Sequence, residues 1–356
     1  MIAICTRFGL ACALGAILVG GGVGVAVAQG WWHMGGARNE HAAPVQNQAY
    51  FPVNRCINVG GALEAPNEGD WFNYRIRERD MRTIAAAGFD TVRIPIKWSA
   101  QALTNPPYTI NPSFFARIDE VMTWALQANL NVIINVHHYD ELYADPDRHE
   151  PRLDALWAQI GARYRTAPAE VMFEIINEPR DAFSGERVNI AQARALSIIR
   201  QTNSTRTVIL TGDNWGNIGG IDNLRLPNDP YIVGTVHYYS PFEFTHQGAD
   251  WMPNPPPAGR SWPTGGERAQ LSRDMQRLVA FRNRIQAPVL LGEFGTGDNI
   301  PMAHRAAWTA DMRQAFDSIN MPSCFFNYAA GFSAYDLQRE QWKAPLLEAL
   351  GVKSLR

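Results

Sequence analysis

The chain has 356 residues, 46% of them hydrophobic and 19% charged, which supplies a large core and excludes wholesale disorder. Lys and Arg number 32 against 34 Asp and Glu, and only three of those cations are lysines, so the basic surplus that a nucleic-acid partner demands is missing. The 11 Trp, 11 Tyr and 16 Phe are the unusual part, because flat aromatic faces suit sugar rings as well as cores.

Residues 1–28 read as a secretory signal peptide. Arg7 precedes an apolar run from Phe8 to Ala28 that closes on Ala26-Val27-Ala28, a small-x-small cleavage site, with the cut expected before Gln29. An uncleaved anchor helix is the alternative, since the run is long enough to span a bilayer; Gly20, Gly21, Gly22 and Gly24 weaken it. The polar, irregular stretch 29–50 reads as a flexible linker, and 51–356 as one domain. The expected location is secreted or periplasmic, with no membrane contact after cleavage. Removal of the signal takes Cys5 and Cys12 with it, leaving Cys56 and Cys324 in the first and last predicted strands. Two buried thiols are the expectation; a disulfide requires those strands to be neighbours in an oxidising compartment.

Short apolar runs rich in Val and Ile alternate with amphipathic helical stretches from there on. The runs are Cys56–Gly60, Thr91–Ile96, Val132–Val136, Val171–Ile176, Thr207–Leu210, Ile232–Val236, Val289–Gly292 and Cys324–Phe326. Continuous apolar strands suit a parallel sheet buried on both faces. Helices are predicted over 74–87, 112–129, 153–164, 187–201, 267–285, 303–319 and 341–350. Eight such βα units close into an α/β fold of the (β/α)8 TIM-barrel type, a single domain; an open doubly wound sheet is disfavoured because no Gly-rich phosphate loop follows the first strand. The stretch from Trp251 to Trp262 reads as a functional loop at the barrel mouth.

In this architecture the chemistry lies where strands end. The strand ends carry Glu64, Arg93, His137-His138-Tyr139-Asp140, Asn177-Glu178-Pro179, Asp213-Asn214-Trp215, His237-Tyr238-Tyr239, Glu293 and Phe326-Asn327-Tyr328. Glu178 and Glu293, on strands 4 and 7, face each other across the mouth, and two carboxyls flanking one bond are what glycosidic cleavage requires. Arg93 interrupts an apolar strand and needs a carboxylate partner, for which Glu293 is the natural choice; Glu174 reads as a buried, paired structural carboxylate, and Tyr239 as a donor to Glu293. His137, His138, Asp140 and His237 form an alternative set of metal ligands. Trp71, Trp98, Trp215, Trp251 and Trp262 are candidate sugar platforms.

The segments Asn58-Val59-Gly60-Gly61-Ala62-Leu63-Glu64, Val92-Arg93-Ile94-Pro95, Ile134-Asn135-Val136-His137-His138, Phe173 to Pro179, His237-Tyr238-Tyr239 and Leu291-Gly292-Glu293-Phe294-Gly295 resemble glycoside hydrolase family 5, in order and at barrel spacing. The branch most resembled is that of secreted bacterial endo-β-1,4-glucanases. The resemblance implies a retaining enzyme with Glu178 as acid/base and Glu293 as nucleophile. It puts Arg93, His137, Asn177, His237 and Tyr239 at supporting positions, and Glu64, His138, Trp215, His246 and Phe326 at substrate-contacting ones. It also implies a β-glucan substrate, no cofactor or metal, and a monomer. Two positions depart from the family pattern: Phe326 stands where a Trp is usual, and Gly61 where Asn is common. A β-mannanase or mixed-linkage glucanase using the same machinery, and a catalytically weak carbohydrate-binding homologue, are the alternatives.

Overall fold

The structure is a computed structural model, and residues 46–352 are described; the predicted signal peptide and most of the predicted linker lie outside the described residues. Eight parallel strands, β1 (Arg55–Asn58), β2 (Thr91–Ile94), β3 (Asn131–Asn135), β4 (Val171–Glu174), β5 (Val208–Thr211), β6 (Ile232–His237), β7 (Val289–Phe294) and β8 (Ser323–Phe325), close in sequence order into a barrel in which β8 pairs back onto β1. Residues two apart on a strand share a face. The outward set packs with the surrounding helices in the main core, as Ile57, Val92, Val132, Ile134 and Leu291 show. The inward set has two levels. The lower level, Cys56, Ile133, Met172, Ile209, Val233, Leu290 and Cys324, is apolar. Two residues further along the strands come Asn58, Asn135, Glu174, Thr211 and Thr235, all fully buried. The barrel interior therefore turns polar toward the C-terminal ends of its strands, and this switch positions the site.

Local chemistry sets the helix boundaries. Asn111 caps the helix Pro112–Gln127, its side chain accepting from Ser113 N at 3.0 Å, with Pro112 pre-set for the first turn. The helix predicted from Leu153 starts seven residues earlier, at Pro146. Asp145 caps it and Pro146 fits its first turn, and the helix runs on through Pro151. The helix predicted from Tyr74 starts at Glu78 because Asp80 folds back to accept from Arg77 N at 2.8 Å; Tyr74 and Ile76 are buried in the preceding loop instead. Gln341–Trp342 is a two-residue strand against Tyr335–Asp336, and the last helix is Ala344–Ala349.

Two expectations are corrected. The tail end of the predicted linker is attached to the barrel: Asn47 Nδ2 donates to Ile232 O (2.7 Å), Thr207 Oγ1 donates to Tyr50 O (2.7 Å), and Ala49 and Phe51 pack against the lower apolar level. Cys56 and Cys324 are not free thiols but a disulfide. β1 and β8 are the strands that close the barrel, and these two residues stand opposite each other in register. The bond joins positions 268 residues apart.

Candidate active site

The site is built around Arg93, which β2 delivers into the polar level of the barrel with no solvent exposure. All five of its N–H groups are used. Nε and Nη2 donate to the two oxygens of Glu174 (2.6 and 2.7 Å), Nη1 to Glu293 Oε1 (2.6 Å) and Asn58 Oδ1 (2.8 Å), and Nη2 also to Asn177 Oδ1 (2.6 Å). Burial works against the guanidinium, but Glu174 and Glu293 outweigh it and raise its pKa. Glu174 is thus the paired structural carboxylate expected, and its partner is the same arginine that holds Glu293.

Glu293 accepts at both oxygens, from Arg93 on one side and from Tyr239 Oη at 2.8 Å on the other. Glu178 has a different setting. It is more exposed, and its Oε1 lies 2.8 Å from His237 Nδ1, an atom that is also 3.7 Å from Glu293 Oε2. A carboxylate oxygen of Glu178 and one of Glu293 lie within 4.8 Å of each other. Burial disfavours the His237 imidazolium, yet Glu293 and Glu178 together raise its pKa above the ordinary value. Room for the ring comes from Gly292 in β7: a Cβ there would sit 2.9 Å from His237 Nε2 and 2.8 Å from Thr235 Oγ1.

The neighbouring histidines are neutral. Burial lowers His137 well below its usual pKa, and takes His138 and His246 down to about 4. Asn135 Nδ2 donates to His137 Nδ1 (3.0 Å), which leaves Nε2 to carry the ring proton. His138 meets Trp71 edge-on at 5.5 Å, and His246 stacks on Phe242 at 4.2 Å. Glu64 is a third buried carboxyl, accepting from the backbone N–H groups of Gly61 and Ala62. Desolvation pushes it up to about 7, with those backbone bonds pulling the other way.

A cleft of about 590 Å³ gathers Glu64, Trp71, His137, His138, Asn177, Glu178, Tyr239, His246, Trp251, Glu293 and Phe326. Arg93 and His237 lie beneath this floor, holding the carboxyls. Trp215 stands outside the cleft lining, half exposed, with the Arg180 guanidinium 4.2 Å from its ring centre. Trp98 and Trp262 are not platforms. Trp98 is fully buried and donates to Asn135 O (2.9 Å), while Trp262 is packed on Phe244 and donates to Asp311 (2.9 Å). The alternative ligand set dissolves, because Asp140 is taken by Lys97 and Arg180. Among the described residues, the Asp, Glu, His or Cys group that brings ligand atoms together is Glu178, His237 and Glu293.

Sequence reasoning missed Asn58, which links Arg93 to Gly292 O (3.0 Å), and the loop residues Phe72, Asp250 and Phe332 of the cleft wall. Asn58 carried a signal, a polar residue inside a buried apolar strand; the loop residues carried none. Gly61 has φ +84°, and a Cβ there would lie 2.3 Å from that of Ala330. A side chain at this position has no space unless Ala330 moves.

A family model described as Cellulase (glycosyl hydrolase family 5) matches residues 48–330. Endoglucanase H of Acetivibrio thermocellus is 34% identical over 251 residues, 70% of this chain; the chain spans only 27% of that larger protein. Endoglucanase C of the same organism is 25% identical over 333 residues, covering 83% of this chain and 96% of the relative. Among solved structures, an endoglucanase superposes with a TM-score of 0.82 at 37% identity, covering 84% of this chain and 96% of the other. Cel5A of Thermotoga maritima in complex with cellobiose gives 0.82 at 38%, covering 84% and 97%. The chain therefore belongs to glycosyl hydrolase family 5, the cellulase family, and is a glycoside hydrolase.

Proposed function

We propose that the chain is a retaining endo-β-1,4-glucanase. The observation that carries this reading is the pair of unlike carboxyls, with oxygens within 4.8 Å of each other in one cleft. Retaining enzymes hold their carboxyls about 5–5.5 Å apart, whereas inverting ones need about 6.5–9.5 Å to seat a water. Glu293, its oxygens fixed by Arg93 and Tyr239, attacks the anomeric carbon. Glu178 gives its proton to the leaving oxygen as that bond breaks, and a glycosyl ester forms on Glu293. Glu178 then takes a proton from water, the hydroxyl joins the anomeric carbon, and Glu293 is released. His237, within reach of both carboxyls, keeps a proton between them.

The substrate assignment rests on the endoglucanase relatives and on a cleft lined by Phe326, Trp71 and Trp251. One relative's solved structure is a complex of Thermotoga maritima Cel5A with mannotriose, which makes mannan the informative contrast. Reducing-sugar release from carboxymethylcellulose and barley glucan, with loss of activity in Glu178→Gln and Glu293→Gln, is the expected result. Faster release from linear mannan, or binding of glucan without any release, would overturn it. Export of the chain and its action as a monomer belong to the same proposal. The Ala26-Val27-Ala28 ending and a disulfide suited to an oxidising compartment support export.

A further inference from the structure

The two carboxyls are held in different ways. Glu293 accepts hydrogen bonds at both oxygens, whereas the Glu178 side chain has one hydrogen-bond partner among the described residues, His237 Nδ1 at 2.8 Å. The aim of its other oxygen therefore depends on how the backbone on either side is fixed. Upstream, Asn177 N donates to Val136 O (3.0 Å), and Asn177 Oδ1 accepts from Arg93. Downstream, Pro179 has no N–H to give, and the fixing falls to Arg180, whose side chain is only 14% exposed. Arg180 Nη1 donates back to Glu178 O (3.2 Å), and Nη2 donates to Asp140 Oδ1 (2.8 Å), while Lys97 Nζ holds the other Asp140 oxygen (3.3 Å). The guanidinium carbon lies 4.2 Å from the ring centres of both Tyr143 and Trp215. Tyr143 is a firm support, buried and donating its hydroxyl to His137 O (3.1 Å). Two backbone bonds complete the clamp, Ala182 N to Tyr143 O (3.1 Å) and Trp215 N to Pro179 O (3.0 Å). Burial works against the Asp140 carboxylate, but Lys97, His138 and Arg180 lower its pKa, so the partner of Arg180 stays ionised.

We infer that Arg180 is a positioning residue for the acid/base. It locks the Glu178 backbone against the segments that follow β3 and β5, and so holds the carboxyl in line with the leaving oxygen. The inference rests on the assignment of Glu178 as acid/base above. A guanidinium is required, because a planar fork can lie on both rings while donating to a carbonyl and a carboxylate. Glu293 is outside this clamp, since its oxygens answer to Arg93 and Tyr239. Loss of Arg180 therefore acts on proton delivery to the leaving group and spares attack at the anomeric carbon.

The test is kcat/KM on a series of aryl β-cellobiosides whose phenols run from 2,4-dinitrophenol, which leaves without a proton, to phenol itself, which needs one. Glu178→Gln sets the reference, with little loss on the dinitrophenyl glycoside and a loss that grows as the leaving group becomes poorer. Arg180→Met is expected to follow that trend, within about threefold of the parent on the dinitrophenyl glycoside and about 30-fold down on the phenyl one. Arg180→Lys should lose nearly as much, because a point charge cannot serve both rings and both acceptors. Asp140→Asn, which removes only the charged anchor, should lose about fivefold on the phenyl glycoside. Thermal unfolding checks that each chain is folded, and the latter two variants carry the test if Arg180→Met does not fold. Losses of equal size across the whole series, or losses below about threefold throughout, would overturn the inference alone. A Glu178→Gln chain with no dependence on the leaving group would overturn the acid/base reading and this inference with it.

Discussion

Replacement of Arg93 by Met is the perturbation with the clearest expected consequence. The guanidinium is completely buried and donates five hydrogen bonds, two to Glu174, one to Glu293 and one each to Asn58 and Asn177. Removing one partner of a buried ion pair leaves an uncompensated charge and costs about 3–5 kcal/mol. Here Glu174, itself without exposure, is left in that state. The expected effect is a fall in melting temperature on the order of 10 °C. Lysine does not substitute, because three donors on a point charge cannot serve Glu174 bidentately and still reach Glu293. The double change Arg93→Met with Glu174→Met separates fold from chemistry. It removes the stranded charge along with its partner, so much of the stability returns, while turnover stays about 100- to 1,000-fold low because Glu293 still lacks its cation. Thermal unfolding and kcat on barley glucan read the two effects. An Arg93→Met chain that melts within a few degrees of the parent and keeps its turnover would refute this account of the site.

The disulfide should matter to the folded state rather than to the chemistry. Cys56→Ala with Cys324→Ala should lower stability by about 2–5 kcal/mol with kcat unchanged, as denaturant unfolding with and without a reductant would show. Gly61→Asn should destabilise by about 1–3 kcal/mol, through the clash with Ala330, and Ala330→Gly should restore part of that loss in a melting series. Glu64 provides a pH test. Its folded pKa, about 7, exceeds the ordinary value of 4.5, so the folded state holds that proton more tightly than the unfolded one. Its contribution is therefore most favourable below about pH 4.5, declines as pH rises to about 7 and is flat above, a span of about 3 kcal/mol. Unfolding free energies from pH 4 to 8 should show this decline in the parent and a shallower one in Glu64→Gln; parallel curves would contradict it.

Much of the architecture is legible in the chain because a parallel barrel strand is apolar on both faces until its end, where Asn177-Glu178 or Gly292-Glu293 stand out. That logic places the two carboxyls and Arg93 before any coordinates are known. It works less well where a residue's role depends on strands distant in sequence. Cys56 and Cys324 become bonded only because the barrel closes between β1 and β8 in that register. Arg93 divides itself between Glu174 and Glu293, an arrangement set by three strands together. Tryptophans are the least legible, since Trp98 and Trp251 look alike in sequence, and only packing separates a buried donor to Asn135 from an exposed ring at the cleft. Loop residues such as Asp250 and Phe332 have no periodicity to mark them.

The central claim is that Glu178 and Glu293 act by double displacement. Proton NMR of cellohexaose during its first turnovers tests it most directly, by the configuration of the newly formed reducing end. The account predicts the β anomer first, with the α anomer arising only by later mutarotation. Initial appearance of the α anomer would mean that a water, rather than Glu293, attacks the sugar.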